Sequence, residues 1–369
     1  MTKARDIADN AGKAGGGGKN LVINGAMQIA QRQASTTGVG STSNTYPACD
    51  RWEIETGNSA GRATMSQESD GPDGFANSTK LACTTADTSV AAGEVFRLQQ
   101  VIEAQNLQSL AKGTSGAKQF TLSFYVKGNA AATYNIEIYD LDNTRHICAS
   151  FNVTTSWNRI SLTFAGDTTG AINDDNGGGF QVGIYLHAGS TYTSGTLATS
   201  WASVTNANRS DSNNTSIFDS TARTFFITGV QLEVGDTATD FEHRTFGDQL
   251  QACKRYYQVL GKHGDSSSGT NSFIGGTAIL YNGSYMTCPV QLNPPMRAAP
   301  TLISTNISNS WKFYRSNGND SFDDFVTSGA RTPYAIELAN TTDISGTQGD
   351  GGFIESGAAN AVCAVDAEL

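Results

Sequence analysis

Short segments in which apolar and polar side chains alternate recur along this chain, and they constrain its fold more than any other feature. In the clearest one, Ile160, Leu162 and Phe164 alternate with polar residues, which puts the three on one face of an extended strand. Similar segments lie at 120–126, 134–139, 180–186 and 224–232. Turn-forming residues separate them. Strands with one apolar face and such connections predict an all-β protein with an antiparallel jelly-roll β-sandwich.

The composition agrees with short strands and many turns. Charged residues make up 16% of the chain and 40 residues are glycine, whereas soluble proteins average about 25% charged residues. The 24 Lys and Arg against 34 Asp and Glu give a net charge of −10, which argues against a nucleic-acid partner because such proteins need a cationic surface. No apolar run reaches the roughly 20 residues of a membrane helix, so the sequence predicts no membrane insertion. The first residues lack the apolar stretch of a secretory signal.

The chain divides into four predicted segments. Residues 1–19 are an extended N-terminal arm and tether, because the glycines at 15–18 hold no fixed conformation unaided. Residues 20–245 are the jelly-roll domain. Residues 246–262 are a short linking helix, and residues 263–369 are a smaller C-terminal β domain.

The predicted linking helix carries an apolar seam with alternating spacings of four and three residues. The seam consists of Phe246, Leu250, Cys253, Tyr257 and Leu260. This is the a/d pattern of about two heptads. It fits two alternatives, a self-association helix and a single helix packed on its own sheet.

Short motifs along almost the whole chain have the order and spacing of one protein family. Residues 20–32 look like its opening strand and residues 225–242 like its closing strand. Residues 253–257 resemble the Cys-x-Arg-Tyr-Tyr segment that follows, and residues 294–301 are similar to its small β domain. Residues 2–9 look like the start of many phage fibre chains. The chain therefore resembles phage tail-fibre proteins, virion fibres of the marine podophage type with a carbohydrate-binding-module-like β-sandwich.

This resemblance implies a structural virion protein that is made in the host cytoplasm. It implies a homotrimer that docks on other virion proteins of the tail or capsid through its N-terminal arm, with host-surface glycans as the expected target of adsorption. The anchor residues in the arm would be Lys3, Arg5, Asp6 and Ile7. An enzymatic tailspike is the main alternative, although the chain lacks the long repeats usual in that class. A free bacterial carbohydrate-binding module is a third, against which the missing signal segment argues.

Trp201 and Tyr192 are the candidates for glycan contact. Sugar recognition uses aromatic faces against apolar ring patches, and both residues lie in a long polar segment without a clear strand pattern. Packing of that loop, or a subunit interface, is the alternative explanation for Trp201. Trp52 and Trp157 begin strands, so we expect them in the core.

The sequence predicts a non-enzymatic protein without a cofactor. None of the four histidines lies in an HExxH motif or beside a GxSxG motif. The acidic pairs at 174–175 and 323–324 have turn sequences. The loop at 173–176 fits two alternatives, a Ca²⁺-binding loop and a solvated turn. The six cysteines include no CxxC pair, which favours buried free thiols.

Overall fold

The computed structural model describes residues 18–41, 44–265, 271–316, 318–327, 329 and 331–369. The chain divides into two compact units between Gln249 and Leu250, and each is described by itself. Within the described residues, no helix combines the length and the apolar character that a bilayer crossing requires.

The first unit contains two six-stranded antiparallel sheets. Its strands are β1 (Ser35–Val39), β2 (Glu53–Gly57), β3 (Arg62–Glu68), β4 (Ser78–Thr85), β5 (Val95–Glu103), β6 (Phe120–Gly128), β7 (Ala132–Asp140), β8 (Arg145–Val153), β9 (Asn158–Phe164), β10 (Gly178–Ala188), β11 (Ala202–Ser203) and β12 (Thr224–Val234). The first sheet has the order β1-β3-β4-β12-β6-β9, and the second has the order β11-β8-β7-β10-β5-β2. The chain passes repeatedly from one sheet to the other, and the predicted jelly-roll sandwich is confirmed.

The inner faces of the two sheets form one apolar core. Leu122 and Phe124 of β6 contribute from the first sheet, and Ile136 and Ile184 contribute from the second. Each fully buried side chain of this size stabilises the fold by about 1.5–3 kcal/mol. Because side chains alternate along a strand, the neighbours of these residues in the second sheet point away from the core.

Among the described residues of the first unit, three short helices lie in the connections between strands. Two are 3₁₀ helices, at Ala104–Leu110 and Asn206–Asn208, and one is a single α-helical turn at Ser190–Thr193. The helices at Ser190–Thr193 and Asn206–Asn208 belong to the long polar segment without a clear strand pattern. The one strand assigned in that segment is the two-residue β11.

The opening segment at 20–25 was predicted as a strand, and that prediction is wrong. Asn24 adopts a positive φ of 56°, which breaks the extended run. Its side-chain amide donates to the carbonyl oxygens of Ile29 and Asp50, and the Asn20 side chain accepts from the N–H of Leu232. Asparagine side chains thus make the hydrogen bonds that a strand ladder would otherwise supply.

The second unit contains a three-stranded and a six-stranded antiparallel sheet. Its strands are β13 (Tyr257–Lys262), β14 (Phe273–Asn282), β15 (Tyr285–Gln291), β16 (Thr301–Ser304), β17 (Trp311–Arg315), β18 (Gly318–Phe322), β19 (Ala335–Asn340), β20 (Gly351–Ser356) and β21 (Val362–Asp366). The smaller sheet has the order β13-β21-β16, and the larger has the order β18-β17-β20-β14-β15-β19. Trp311, Phe313 and Ile354 lie in its core.

The predicted helix over 246–262 is wrong in its second half. The helix spans Phe246–Lys254 and begins at a cap in which the Thr245 hydroxyl accepts from the N–H of Asp248. From Tyr257 the chain is strand β13, because its backbone pairs with β21. Aromatic and β-branched residues favour this extended conformation. The five seam residues therefore do not form one helical stripe.

All six cysteines lie in the described residues, and they are buried thiols that form no disulfide, as predicted. Burial raises the pKa of Cys49 to about 12 and that of Cys288 to about 11. These thiols are therefore protonated and poorly reactive at neutral pH.

Candidate functional site

Trp201 packs at the edge of the sandwich core. Its indole N–H donates to the carbonyl oxygen of Ala165 at 2.7 Å, and its ring contacts Phe120 and Phe180. The ammonium of Lys112 lies 5.4 Å from the ring centroid. These are contacts of loop packing, and glycan contact by Trp201 stays a prediction from the sequence.

Tyr192 lies elsewhere on the second sheet. Its ring contacts Tyr185, whereas Trp201 contacts Phe180. These two partners are five residues apart on β10, which is about 16 Å along a strand. The structure therefore does not bring the two predicted glycan-binding residues into one site.

The outer face of the second sheet carries a buried cluster of charges centred on Glu137. The carboxylate of Glu137 accepts from the guanidinium of Arg97 at 3.0 Å and from that of Arg209 at 2.8 Å. It also accepts from Nδ1 of His146 at 2.8 Å and from the Tyr185 hydroxyl at 3.1 Å. We call the surface formed by these residues and Gln99 the closed face.

The charges of the closed face stabilise one another. Burial by itself would raise the pKa of Glu137, but the hydrogen bond from His146 and the two guanidinium groups lower it to about 2. Burial likewise opposes the charged form of Arg97, and its acidic partners raise its pKa above the ordinary value. Glu137 is therefore ionised at neutral pH and fully paired.

The segment at 189–214 covers the closed face. Arg209 comes from this segment, and so does Ser210, whose hydroxyl donates to the side chain of Asn135 at 2.7 Å. The N–H of Cys148 donates to the carbonyl oxygen of Ala198 at 2.7 Å. The carboxylate of Glu137 and the side chain of Asn135 are thus paired within the protein.

The larger sheet of the second unit presents the opposite situation, an exposed face rich in aromatic residues. We call this the aromatic face. Its exposed members are Phe273 (60%), Ile279 (42%), Tyr281 (63%) and Phe353 (44%). Tyr314 stacks on Phe353 with ring centroids 5.2 Å apart, and Phe273 meets Phe353 edge to face at 5.3 Å.

Polar groups lie among the rings of the aromatic face. Tyr281 contacts Tyr285, whose hydroxyl donates to the carboxylate of Glu337 at 3.0 Å. Lys312 and Glu355 are cross-strand partners beside Phe273. From Phe273 to Tyr281 the face extends on the order of 20 Å, because the register of β14 shifts between Ile274 and Ala278. Clustered exposed apolar side chains rimmed by polar groups often mark a binding surface.

Sequence reasoning missed the aromatic face. The sequence of β14 contained a signal for it, because apolar residues occur on both faces of this strand. Phe273, Ile279 and Tyr281 lie on one face, and a second, buried set lies on the other. The buried set is Ile274, Ala278 and Leu280. Because a half-buried strand normally has one apolar face, a second one indicates a surface for a partner.

The two acidic pairs lie in connections between strands, outside any helix or strand. The Asp175 carboxylate accepts from the N–H of Gly177 at 2.9 Å, and that of Asp323 accepts from the N–H of Asn309 at 2.8 Å. Burial and the neighbouring charges of Asp343 and Asp323 raise the pKa of Asp324.

The predicted anchor residues Lys3, Arg5, Asp6 and Ile7 lie outside the described residues. The last residue of the predicted tether is tied to the sandwich. The backbone N–H groups of Lys19 and Asn20 donate to the carboxylate of Glu242 at 3.2 and 2.9 Å.

The predicted oligomer seam is split between two kinds of structure. Phe246, Leu250 and Cys253 lie on the helix, and Phe246 is 61% exposed at its start. Tyr257 and Leu260 lie on β13, where Tyr257 is buried and Leu260 packs on the core of the second unit. A two-heptad seam is therefore ruled out, and only its first three residues share a helix.

No protein-family model matches the sequence, and a search of curated proteins finds no match. Solved structures with similarity include a carbohydrate-binding module described under "CBM4 structure and function", at 16% identity and a TM-score of 0.30, over 57% of this chain and 98% of that one. Another is the tandem CBM22 domain of Paenibacillus barcinonensis Xyn10C, at 11% identity and a TM-score of 0.28, over 96% of this chain and 99% of that one.

A third similar structure comes from a phage. The enzymatically active domain of tailspike protein 4 of bacteriophage CBA120 has 15% identity and a TM-score of 0.28, over 59% of this chain and 22% of that one. At such low scores the fold assignment rests on the sheets themselves. The chain is an all-β protein with a jelly-roll sandwich and a second, smaller β unit.

Proposed function

We propose that this protein is a non-enzymatic, trimeric fibre or fibre-like appendage of a phage particle that binds host-surface glycans through its aromatic face. The observation that carries the glycan-binding part is the exposure of Phe273, Tyr281 and Phe353 on one sheet face. Flat aromatic rings stack against the apolar C–H patches of sugar rings. Glu337, Lys312 and Glu355 supply polar groups beside them for hydroxyls.

The virion assignment rests on the ordered motifs of the sequence. They run from the polar arm at 2–9 through the opening and closing segments of the sandwich to the small β unit. Labelling particles with an antibody against the second unit tests the assignment. Label on the particle surface supports it, and label only on free protein contradicts it.

The trimer is supported by the exposed Phe246 at the start of the helix. Light scattering of the full chain at micromolar concentration should give the mass of three chains, and Phe246→Ser should lower it. The mass of one chain for the wild-type protein would contradict the trimer.

The glycan part is tested by affinity electrophoresis of the full chain in gels that contain bacterial surface polysaccharides. We expect retardation by at least one of them, with no release of new reducing ends. Release of reducing ends would favour the enzymatic tailspike alternative. Unchanged mobility in every gel would contradict glycan binding.

A further inference from the structure

Three buried groups with metal-ligating chemistry meet near one end of the sandwich. They are Asp87, Glu94 and His187, whose ligand atoms lie within 4.8 Å of one another. Their exposed fractions are 7%, 4% and 0%. Asp87 follows β4 of the first sheet, Glu94 precedes β5 of the second, and His187 lies near the end of β10.

The imidazole of His187 is held on both sides. Its Nδ1 lies 2.7 Å from the hydroxyl oxygen of Ser216, and its Nε2 lies 3.1 Å from Oε2 of Glu94. The Ser216 oxygen also accepts from the N–H of Phe218 at 3.0 Å. A histidine that binds a metal through one nitrogen usually has the other held by such a hydrogen bond.

The charge around these residues distinguishes them from the closed face. There, His146 and Cys148 also lie beside a carboxylate, that of Glu137, but two guanidinium groups neutralise it. Among the described residues, no lysine or arginine forms an ion pair with Asp87 or Glu94, and His187 is the only basic partner of Glu94. Buried carboxylates without such a partner are costly unless a proton or a cation joins them.

The second carboxylate is oriented by the backbone. Oδ2 of Asp87 accepts from the N–H of Ala60 at 3.1 Å, and Oδ1 accepts from the N–H of Ser89 at 3.3 Å. These bonds fix the carboxylate and leave oxygen lone pairs free for a further ligand.

We propose that Asp87, Glu94 and His187 bind one Zn²⁺ ion, with Nε2 of His187 and one oxygen of each carboxylate as ligands. One imidazole and two carboxylates form a donor set that suits zinc. Ser216 is a positioning residue: in the zinc-bound form its oxygen would accept Nδ1–H, and Nε2 would exchange its hydrogen bond with Glu94 for the metal. The ion joins the connection between β4 and β5 to β10, and so links the two sheets of the sandwich.

The proposal is tested on the full chain with zinc alone as the probe. After dialysis against EDTA and titration with ZnCl₂ in excess Ca²⁺ and Mg²⁺, we expect about one zinc per chain by elemental analysis. Because the ion binds only the folded state, Tm should rise by about 5 °C. Replacement of zinc by Co²⁺ should give the visible absorption of a low-symmetry nitrogen and oxygen site.

Three variants locate the ion. Asp87→Asn keeps the shape of the side chain and an oxygen for one of the two backbone bonds, and it should abolish stoichiometric binding. Ser216→Ala should weaken zinc affinity about 10- to 100-fold. The matched control His146→Gln alters the other buried histidine beside a carboxylate and should keep one zinc.

Two results would overturn the proposal. One is a wild-type protein whose zinc content and Tm do not respond to EDTA and ZnCl₂, which would make the three residues a hydrogen-bonded network without metal. The other is unchanged zinc affinity in Asp87→Asn, which would place the ion elsewhere. If a variant fails to fold, the wild-type titration and the Co²⁺ spectrum still decide the question.

Discussion

The closed face of the sandwich and the aromatic face of the second unit are both outer surfaces of six-stranded antiparallel sheets, yet they differ in every other respect. The closed face is polar and charged, but Arg97, Glu137 and Tyr185 are almost completely buried. The aromatic face is apolar, but Phe273, Tyr281 and Phe353 are exposed. Buried positions normally hold apolar side chains, but those of the closed face hold polar ones. Exposed positions normally hold polar side chains, but those of the aromatic face hold apolar rings.

The difference shows how each face is completed. The segment at 189–214 supplies Arg209 and Ser210 to the closed face, where they pair with Glu137 and Asn135. Among the described residues of the second unit, no segment buries the rings of the aromatic face. A face that the chain itself covers contributes to stability, whereas a face that it leaves exposed is available to a partner.

The largest expected effect comes from breaking the charge cluster of the closed face. Glu137→Gln leaves Arg209 buried without its anion and leaves Arg97 with Glu55 as its remaining partner. Breaking such a buried pair costs about 3–5 kcal/mol of unfolding free energy. Urea denaturation of the full chain measures the loss. Asp70→Asn is the matched control, because the half-exposed pair of Asp70 with Lys127 contributes about 1 kcal/mol or less. Equal losses in both variants would contradict a special role for the closed face.

A pH titration tests the same cluster without a mutation. The pKa of Glu137 falls from its ordinary value near 4.5 to about 2 on folding. A lowered pKa stabilises the fold above pH 4.5, and this stability is lost as the pH falls from about 4.5 to about 2. The loss is on the order of 3 kcal/mol. Glu137→Gln should remove this part of the pH dependence, and an unchanged slope would show that other carboxylates carry it.

A substitution of Trp201 distinguishes two roles for this residue: the glycan contact predicted from the sequence, and the packing residue seen in the structure. Trp201→Ala removes a hydrogen bond and ring packing and should lower the unfolding free energy by about 2 kcal/mol. Affinity for polysaccharide should remain that of the wild-type protein. Weaker binding with unchanged stability would instead support Trp201 as a glycan contact.

The strands were predictable from the sequence because their alternation is a local property. The strands at 158–164 and 178–188, for example, follow directly from the alternation of apolar and polar residues in the sequence. The coverage of a face was not predictable, since it depends on where a distant segment lies. Arg209 and Glu137 are 72 residues apart, and their pairing leaves no local pattern.

The misjudged helix has a similar cause. The four-three spacing of the seam is local, but the conformation of Tyr257 and Leu260 is decided by backbone pairing with β21, about 100 residues away. Trp201 was predicted as a glycan contact because an isolated tryptophan in a polar loop resembles a binding residue, and that role stays a prediction. Its hydrogen bond to Ala165 and its packing on Phe180 are visible only in three dimensions.

The most direct test of the account measures binding by the aromatic face. Isothermal titration should compare the wild-type chain, Tyr281→Ser, Phe353→Ser and the control Tyr334→Ser with a polysaccharide that retards the protein. Tyr334 is 62% exposed in the same unit but lies immediately before β19 rather than among the rings of the aromatic face. We expect each of the first two variants to bind about 10- to 30-fold more weakly at unchanged Tm, as lost hot-spot aromatics do, and Tyr334→Ser to bind like the wild-type protein. Wild-type affinity in Tyr281→Ser and Phe353→Ser would contradict the assignment of the aromatic face as the glycan-binding surface.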